Sequence, residues 1–572
     1  MKRCRGTICP MPTNAPHDSP LLEKYSQLLA NLLYSRGIRT LTEAEHFLEP
    51  SYERDFSDPF LMHDMERACV RIYEAIEARE KIVVYGDYDC DGIPGAVLLN
   101  DFFRKINYTD YTIYIPDRHT EGYGLNKEAI DRFITSGVTL LVTVDLGISN
   151  GEEIAQATAS GIEVIVTDHH LPPEELPRAY ALVNPKLVMN GMTYPDPMLC
   201  GAGVAFKLVQ GLLNKYGEYW GIQKGWEKWL LDMAGLATLS DMVPLCNENR
   251  AIAYFGLRVI ARNKRIGLAE LLRRLGINPQ NLTEDDLTFM VTPRINAASR
   301  MDSPMRAFQL LATEEPAEAI TLSEHLTKIN DERKTHVATI MKEVHKVLEK
   351  RELPEIVVIG NSNWRVGVLG IVASKIAEEY EKPAFVWGME GSEVIKGSCR
   401  SNGSINVVRL MEHTATHLLD YGGHELAGGF SVSHEHIHTL ESALITAYPM
   451  ALRPLEDAIH KYTPLTLSEV TLRTYNEIAR LAPFGLGNEK PVFIFELVEI
   501  RSVKLFGKEK NHLEIIVGDT SKTKIKAIAF FSAEDSFKKK IVIGEKINLC
   551  ATMELSYFAG RTELRLRIID IL

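Results

Sequence analysis

Residues 87–92 read Asp87-Tyr88-Asp89-Cys90-Asp91-Gly92, directly after the apolar run Ile82-Val83-Val84-Tyr85. Carboxylates this close repel one another unless a cation sits between them. A hard divalent cation meets that need, because it takes oxygen ligands and keeps positions open for water and phosphate. A calcium loop of the EF-hand kind opens with the same pattern. It also requires an acidic twelfth residue, here Leu98, and a preceding helix, whereas residues 81–85 are rich in β-formers. The plain alternative is a polar strand-to-helix loop with a capping Asp.

Two further segments have the same form. The run 139–144 ends in Asp145-Leu146-Gly147, and the run 162–167 ends in Asp168-His169-His170. In an open parallel sheet, ligands bind beyond the carboxyl ends of the strands. Three strands therefore deliver Asp87, Asp89, Asp91, Asp145, Asp168, His169 and His170 to one edge. This ligand mixture suits Mn²⁺ or Mg²⁺, and the imidazoles tilt the choice toward Mn²⁺. Asp241 follows a helical stretch with an apolar face (Trp229, Leu230, Met233, Leu236); it is either a further ligand or a helix cap. Two divalent ions on such ligands would activate water, neutralise a phosphate and stabilise a leaving oxygen.

In order, GDYDCDG, VDLG, TDHH and LATLSDMVPL resemble the DHH phosphoesterase family, and within it the RecJ-type exonucleases specific for single-stranded DNA. PRINAASR (293–300) resembles the family's connector motif, and residues 365–374 resemble the start of its second domain. GSCRS (397–401) and GGHELAGG (422–429) resemble its substrate-binding loops. The resemblance implies metal-dependent hydrolysis of single strands in the 5′→3′ direction to mononucleotides, in DNA repair and recombination. By the same resemblance, Asp89, Asp91, Asp145, Asp168, His169 and Asp241 would ligate or bridge two ions. Asp87 would be a ligand or orient water, and His170 would contact the phosphate. Arg294, Asn296, Arg300, Ser398, Arg400, Ser401, Gly423 and His424 would face the substrate. Glycine-rich segments allow close backbone approach and offer amides to phosphate, and arginine forks onto its oxygens; tight turns are the plain alternative for the glycines. A single-strand-binding protein and a RecQ-type helicase are partners implied by resemblance, with a monomeric chain.

Five positions depart from the family pattern. Tyr85 stands where many DHH enzymes carry His; a phenol is a poorer ligand, so the first ion would lean on Asp87. Ser299 and Cys399 stand where Gly is common, and Arg365-Val366 where His-Pro is frequent. Two other enzyme readings are a DHH phosphodiesterase of short oligonucleotides or cyclic dinucleotides and a DHH pyrophosphatase; the β-rich region 485–572 counts against both. A non-catalytic DHH-fold scaffold that binds single strands is the third reading, and the nearly complete acidic set counts against it.

At 572 residues the chain exceeds one core, and three to four domains are expected. The expected division is an N-terminal extension with short helices (1–60) and a parallel-sheet α/β catalytic domain (61–262). A helical connector (263–349) with helices at 314–328 and 331–348 follows, then a smaller α/β domain resembling DHHA1 (350–455). A hinge helix within 462–481, a turn-rich hinge at 483–488 and an OB-type β-barrel complete 456–572. Residues 1–20 read as loosely attached. Barrel aromatics Phe506, Phe530, Phe531, Tyr557 and Phe558 would stack bases or fill the core. Lysine and arginine clusters at 504–510, 522–526, 538–540 and 561–567 supply local basic surface to a chain of net charge −12. Eight scattered cysteines with no Cys-x-x-Cys, no secretory signal and no membrane-length apolar run point to reduced thiols in the cytoplasm.

Overall fold

The computed structural model describes the chain except residues 1–8, 11–13, 189–190, 263, 390–393, 455–460, 508–509, 520–522, 533–536, 538 and 559–560. It divides into two compact units, one of residues 50–339 with 483–488, the other of 1–49, 340–482 and 489–572.

The first unit is built on five parallel strands: β1 (Ile82–Gly86), β2 (Tyr111–Tyr114), β3 (Leu140–Val144), β4 (Glu163–Thr167) and β5 (Ala181–Val183). Their order is β2-β1-β3-β4-β5. Central strands β1 and β3 are buried along their whole length, which explains why their sequences are apolar without alternation. Alternate residues still serve different cores. Ile82, Val84, Leu140 and Val142 pack with α1 (Gly92–Lys105) and α4 (Gly201–Tyr216). Val83, Tyr85 and Leu141 pack with α2 (Lys127–Thr135) and α3 (Gly151–Ala159). The chain leaves β1 and β3 in opposite directions, so a crevice opens between their carboxyl ends.

Helix α5 (Leu231–Ser240) is buried almost all round and α6 (Asn247–Ala261) lies against it. A Cβ on Gly235 would lie 2.6 Å from the Gly256 Cα, so only glycine admits this helix approach. A π-helical turn, Asp286–Val291, leads into α7 (Thr292–Met301). The next long element corrects the sequence expectation: residues 314–348 do not form two helices but one, α8 (Pro316–Leu348), which runs through Asn330. The 483–488 turn is also no free hinge. It belongs to this unit, where the Leu245 N–H donates to the Leu486 carbonyl at 2.7 Å and Arg250 to the Pro483 carbonyl at 3.2 Å.

The second unit contains a mixed sheet of β6 (Val357–Gly360), β7 (Ala384–Gly388), β8 (Ile395–Arg400), β9 (Asp420–His424) and β10 (Ala427–Val432), in the order β9-β10-β8-β7-β6. The segments expected as substrate loops are therefore largely strands: GSCRS lies mostly in β8, and GGHELAGG forms the β9–β10 hairpin. The expected helix within 462–481 is confined to Leu472–Ala479, because Lys461–Pro464 is a strand. Five strands close a barrel: Phe493–Phe506, His512–Gly518, Lys524–Ala529, Arg561–Ile571 and Lys546–Phe558, the last pairing back onto the first. Its first strand joins two expected strands across a bulge at Leu497, where φ is +51°. Of the expected loose segment 1–20, residues 1–8 and 11–13 lie outside the described residues; within 14–20 only Ala15 and Ser19 are buried, and the Ala15 N–H donates to Asn31 Oδ1 at 2.9 Å.

Candidate metal centre

Asp89 caps α1 by accepting the Asp91 N–H at 2.8 Å and the Gly92 N–H at 3.3 Å. Asp91 reaches across to the start of α4, where Gly201 and Ala202 donate their N–H groups at 2.6 and 2.7 Å. Burial raises the Asp91 pKa, and the amides of this helix N-terminus oppose that rise without overcoming it. Asp145 follows β3 with φ +65°, a left-handed conformation that Asp tolerates better than most residues. A Cβ on Gly201 would lie 2.4 Å from the Asp145 Cβ, so the glycine is what admits this side chain.

His169 and His170 diverge after β4. His169 directs Nε2 toward three carboxylates, 3.1 Å from Asp145 Oδ1, 3.7 Å from Asp91 Oδ2 and 3.8 Å from Asp241 Oδ2. Burial lowers its pKa to about 4, overcoming the pull of Asp91, and keeps the imidazole neutral as a metal ligand must be. His170 places Nδ1 2.8 Å from Asp168 Oδ1. Burial lowers its pKa, but the Asp168 hydrogen bond outweighs burial and raises it overall. Asp241 caps the end of α5 and is partly open.

Three groups of ligand atoms converge, each within 4.8 Å: Asp145 with His169 and His170, Asp91 with His169 and Asp241, and Asp87 with Asp89 and Asp145. Burial and mutual repulsion push Asp87 and Asp145 well above the usual carboxylate range and Asp241 up to about 9. The buried oxygens Asp87 Oδ1 and Asp145 Oδ1 accept no hydrogen bond from the protein. Orphaned carboxylate oxygens beside a neutral imidazole fit divalent cations.

One sequence expectation changes. Asp168 is absent from these groups. Its Oδ1 accepts from His169 N–H, His170 N–H and His170 Nδ1, and its Oδ2 from Ile148 N–H at 2.9 Å. Burial opposes its charge, yet these donors hold its pKa below the ordinary value. Its geometry is that of an orienting residue rather than a ligand. Tyr85 turns to the opposite face of β1, where it donates to the Gly124 carbonyl at 3.1 Å and packs on Tyr114 and Phe133. Among the described residues no ligand takes its place; Asp87 completes the nearby group.

The site opens into a cavity of about 220 Å³ lined by Asp87, Asp89, Asp145, Asp241, His169 and His170 with Asn296, Ser299 and Arg300. Arg118, Tyr88 and Tyr123 also line it, and were not foreseen. Arg118 lies 5.0 Å over the Tyr88 ring, and the Tyr123 hydroxyl is 3.3 Å from His170 Nδ1. Lys186, also unforeseen, donates to the His169 carbonyl, while Asn184 Nδ2 donates to the His170 carbonyl at 3.0 Å. The signal was present: β2 and β5 end at the same edge as the three strands read from sequence. Asn296 accepts the Cys90 N–H at 2.8 Å, tying α7 to the first acidic motif. Arg294 does not line the cavity; it is buried and donates to the Met290 carbonyl at 2.6 Å.

In the second unit Ser398 and Arg400 share β8, with Arg400 Nη1 3.2 Å from Ser398 Oγ. Gly370, at the start of the helix Leu369–Tyr380, admits both, since its Cβ would lie 2.9 Å from Arg400 and 3.1 Å from Ser398. Gly423 has φ +142° and pairs with Gly428; His424 ends β9 and is exposed. Ser401 instead closes a turn, donating to the Ile405 carbonyl at 2.7 Å. Cys399 is buried against Met411, so its departure from Gly changes core packing.

On the barrel, Phe531 and Tyr557 are exposed, and Arg567 lies 5.0 Å from the Phe530 ring. The expected basic surface is partly neutralised: Lys526 pairs with Glu563 and Arg565 with Glu554, each at 2.8 Å. Lys508, Lys522 and Lys538 and the side chains of Phe558 and Arg561 lie outside the described residues. Cys69, Cys90, Cys200, Cys246, Cys399 and Cys550 are free thiols. No helix among the described residues is long and apolar enough to cross a membrane.

A parallel sheet with acidic and histidine ligands at its switch point, joined to a mixed sheet and a closed barrel, defines a DHH-type phosphoesterase with an added OB module. Family models agree: the DHH family N-terminal domain matches residues 81–238, the DHHA1 domain 354–447 and the RecJ OB domain 463–570. The single-stranded-DNA-specific exonuclease RecJ of Bacillus subtilis (strain 168) is 34% identical over 547 residues, covering 95% of this chain and 67% of the relative. That of Haemophilus influenzae is 31% identical, covering 95% of each. The crystal structure of RecJ in complex with Mn²⁺ from Thermus thermophilus superposes with a TM-score of 0.80 at 25% identity, covering 99% of this chain and 79% of that one. The chain belongs to the RecJ family of single-stranded-DNA-specific exonucleases.

Proposed function

We propose that this chain hydrolyses single-stranded DNA from its 5′ end to mononucleotides with two divalent ions, Mn²⁺ or Mg²⁺, in repair and recombination. The observation that carries the reading is the convergence of three ligand groups on Asp145 and His169, with Asp145 Oδ1 buried and without a hydrogen-bond donor. Asp87, Asp89, Asp91, Asp145, His169 and Asp241 are the available ligands. The ions supply Lewis acidity toward phosphate and water.

The residues of the chain account for the remaining work. Asp168 fixes the His170 ring through Nδ1, so Nε2 is the nitrogen left to act on a phosphate oxygen. Its raised pKa favours the imidazolium, which can donate a proton there. Asn296 holds the Cys90 amide, and with it the Asp89–Asp91 turn, in register. Arg118 and Arg300 line the cavity as phosphate forks. Ser398, Arg400, Gly423 and His424 would hold the nucleotide backbone, and Phe531 and Tyr557 would stack bases.

We assign catalysis to 61–262, the connector to 263–349, substrate holding to 350–455 and strand capture to 456–572. A monomer that works beside a single-strand-binding protein and a RecQ-type helicase in the cytoplasm completes the reading. The test uses 5′- and 3′-labelled single strands and matched duplexes with Mn²⁺, Mg²⁺ or EDTA. Immediate release of 5′ label as mononucleotide from single strands alone supports it. Binding without cleavage in every metal would show a scaffold, and cleavage confined to very short oligomers would show a small-substrate phosphodiesterase.

A further inference from the structure

Away from the metal cavity, α7 and α8 bring together two arginines with no ion pair among the described residues, although the charge of Asp331 acts on Arg294. Arg294 is 7% exposed; Nη1 donates to the Met290 carbonyl, and its buried Nε has no partner. Arg333 on α8 also buries an unpartnered Nε. Neither guanidinium forms an ion pair within 4 Å among the described residues, and Arg294 is close enough for its charge to add to the burial that lowers the Arg333 pKa. The nearest acid, Asp331, is exposed and pairs with Lys334 at 2.9 Å. Asn330, fully buried, stands three residues before Arg333 on the same helix face, and neither atom of its amide is hydrogen-bonded. Buried polar groups are ordinarily satisfied, and like charges are ordinarily separated. Two arginines close enough for one charge to act on the other, each with a buried unpartnered Nε, and an unsatisfied buried amide three residues before Arg333 match a bound anion.

We propose that Arg294 and Arg333 grip a backbone phosphate of the DNA strand, distinct from the phosphate cut at the metals. The inference rests on the single-strand exonuclease reading. Helix α7 gives the two sites a common support. Asn296 and Arg300, one turn apart, face the metal cavity, and Arg294 lies on another side of the same helix. A strand anchored at both places would be held across the short helix and unable to slip during cleavage.

Arg333→Gln in the full-length protein is the variant to test. Binding is measured on a 5′-phosphorylated oligothymidylate in Ca²⁺, across a salt series. Single phosphodiesters are replaced one at a time by uncharged methylphosphonates. The expected wild-type profile has a loss of affinity of about tenfold at one internal position, and Arg333→Gln removes that position's effect. The slope of log K against log salt should fall by about 0.7 in the variant. Arg333→Lys, which keeps the charge, should restore most of the loss. Identical substitution profiles in wild type and Arg333→Gln would overturn the site while leaving the exonuclease reading intact, even if the variant is less stable. Failure of the wild type to bind single strands at all would overturn both.

Discussion

Asp145 and Asp168 are both nearly sealed from solvent, 3% and 1% exposed, yet their surroundings are opposite. Asp168 is met by donors at both oxygens, whereas Asp145 is met mainly by other acids. Asp145→Ala should therefore abolish Mn²⁺-dependent cleavage, a loss of at least ~10³-fold, as expected when a metal ligand is removed. Asp168→Asn should retain the metal and lose roughly 10- to 100-fold in rate, since it perturbs only the orientation of His170. Steady-state rates beside calorimetric Mn²⁺ titration separate the two; equal loss of metal in both would make Asp168 a ligand after all. At this scale the acidic set was readable because carboxylates crowded at strand ends repel one another unless a cation binds between them. Tyr85 was not, because a residue before a loop points to either face and only the strand pleat decides which. Arg118 and Lys186 were missed because edge strands β2 and β5 are short and carry a weak apolar signal.

A different kind of sensitivity resides in the junctions between elements. The start of α4 supplies the amides that fix Asp91 and, through the missing side chain of Gly201, the room for Asp145. Gly201→Ala should leave the global fold intact and reduce Mn²⁺ affinity at least tenfold, because the added methyl must displace the Asp145 carboxylate. Circular dichroism with Mn²⁺ titration checks this; unchanged affinity would mean that the loop relaxes freely. Nothing in the sequence placed the start of α4 against a loop 56 residues earlier. The two-helix expectation for 314–348 failed for a related reason. Asn330 and Asp331 are favourable capping residues locally, but packing along the helix prevails over local preference.

Across the whole molecule, folding must assemble the acidic site against its own repulsion. The metal-free folded chain binds more protons than the unfolded one, because Asp241 moves from an ordinary value near 3.8 up to about 9, and Asp87 and Asp145 move the same way. The stability that these protons confer is complete below about pH 4 and is lost as pH rises toward 9. EDTA-treated protein should therefore show a Tm contribution that falls across this window, and Mn²⁺ should restore most at the alkaline end. Thermal scans at several pH values, with and without Mn²⁺, test this; parallel curves would rule it out. For the barrel, Phe531→Ala and Tyr557→Ala should each weaken binding of long single strands by about tenfold, the effect of one lost stacking contact. Their cleavage of very short oligomers should change little. An affinity unchanged in both variants would remove these aromatics from the strand path. The order of modules was legible from composition and strand spacing, whereas the grouping of distant segments into units depends on long-range packing that no local window contains.

The short segment 483–488 belongs to the catalytic unit although both its flanks belong to the other. Its anchors, Leu245 and Arg250, lie more than two hundred residues earlier. A single genetic crossover that exchanged the C-terminal barrel would thus also replace a piece of the nuclease body. Descent of this architecture favours inheritance of the chain as a whole: a recombinant must match at the barrel boundary and at this six-residue tenon, or it leaves the α5–α6 junction bare.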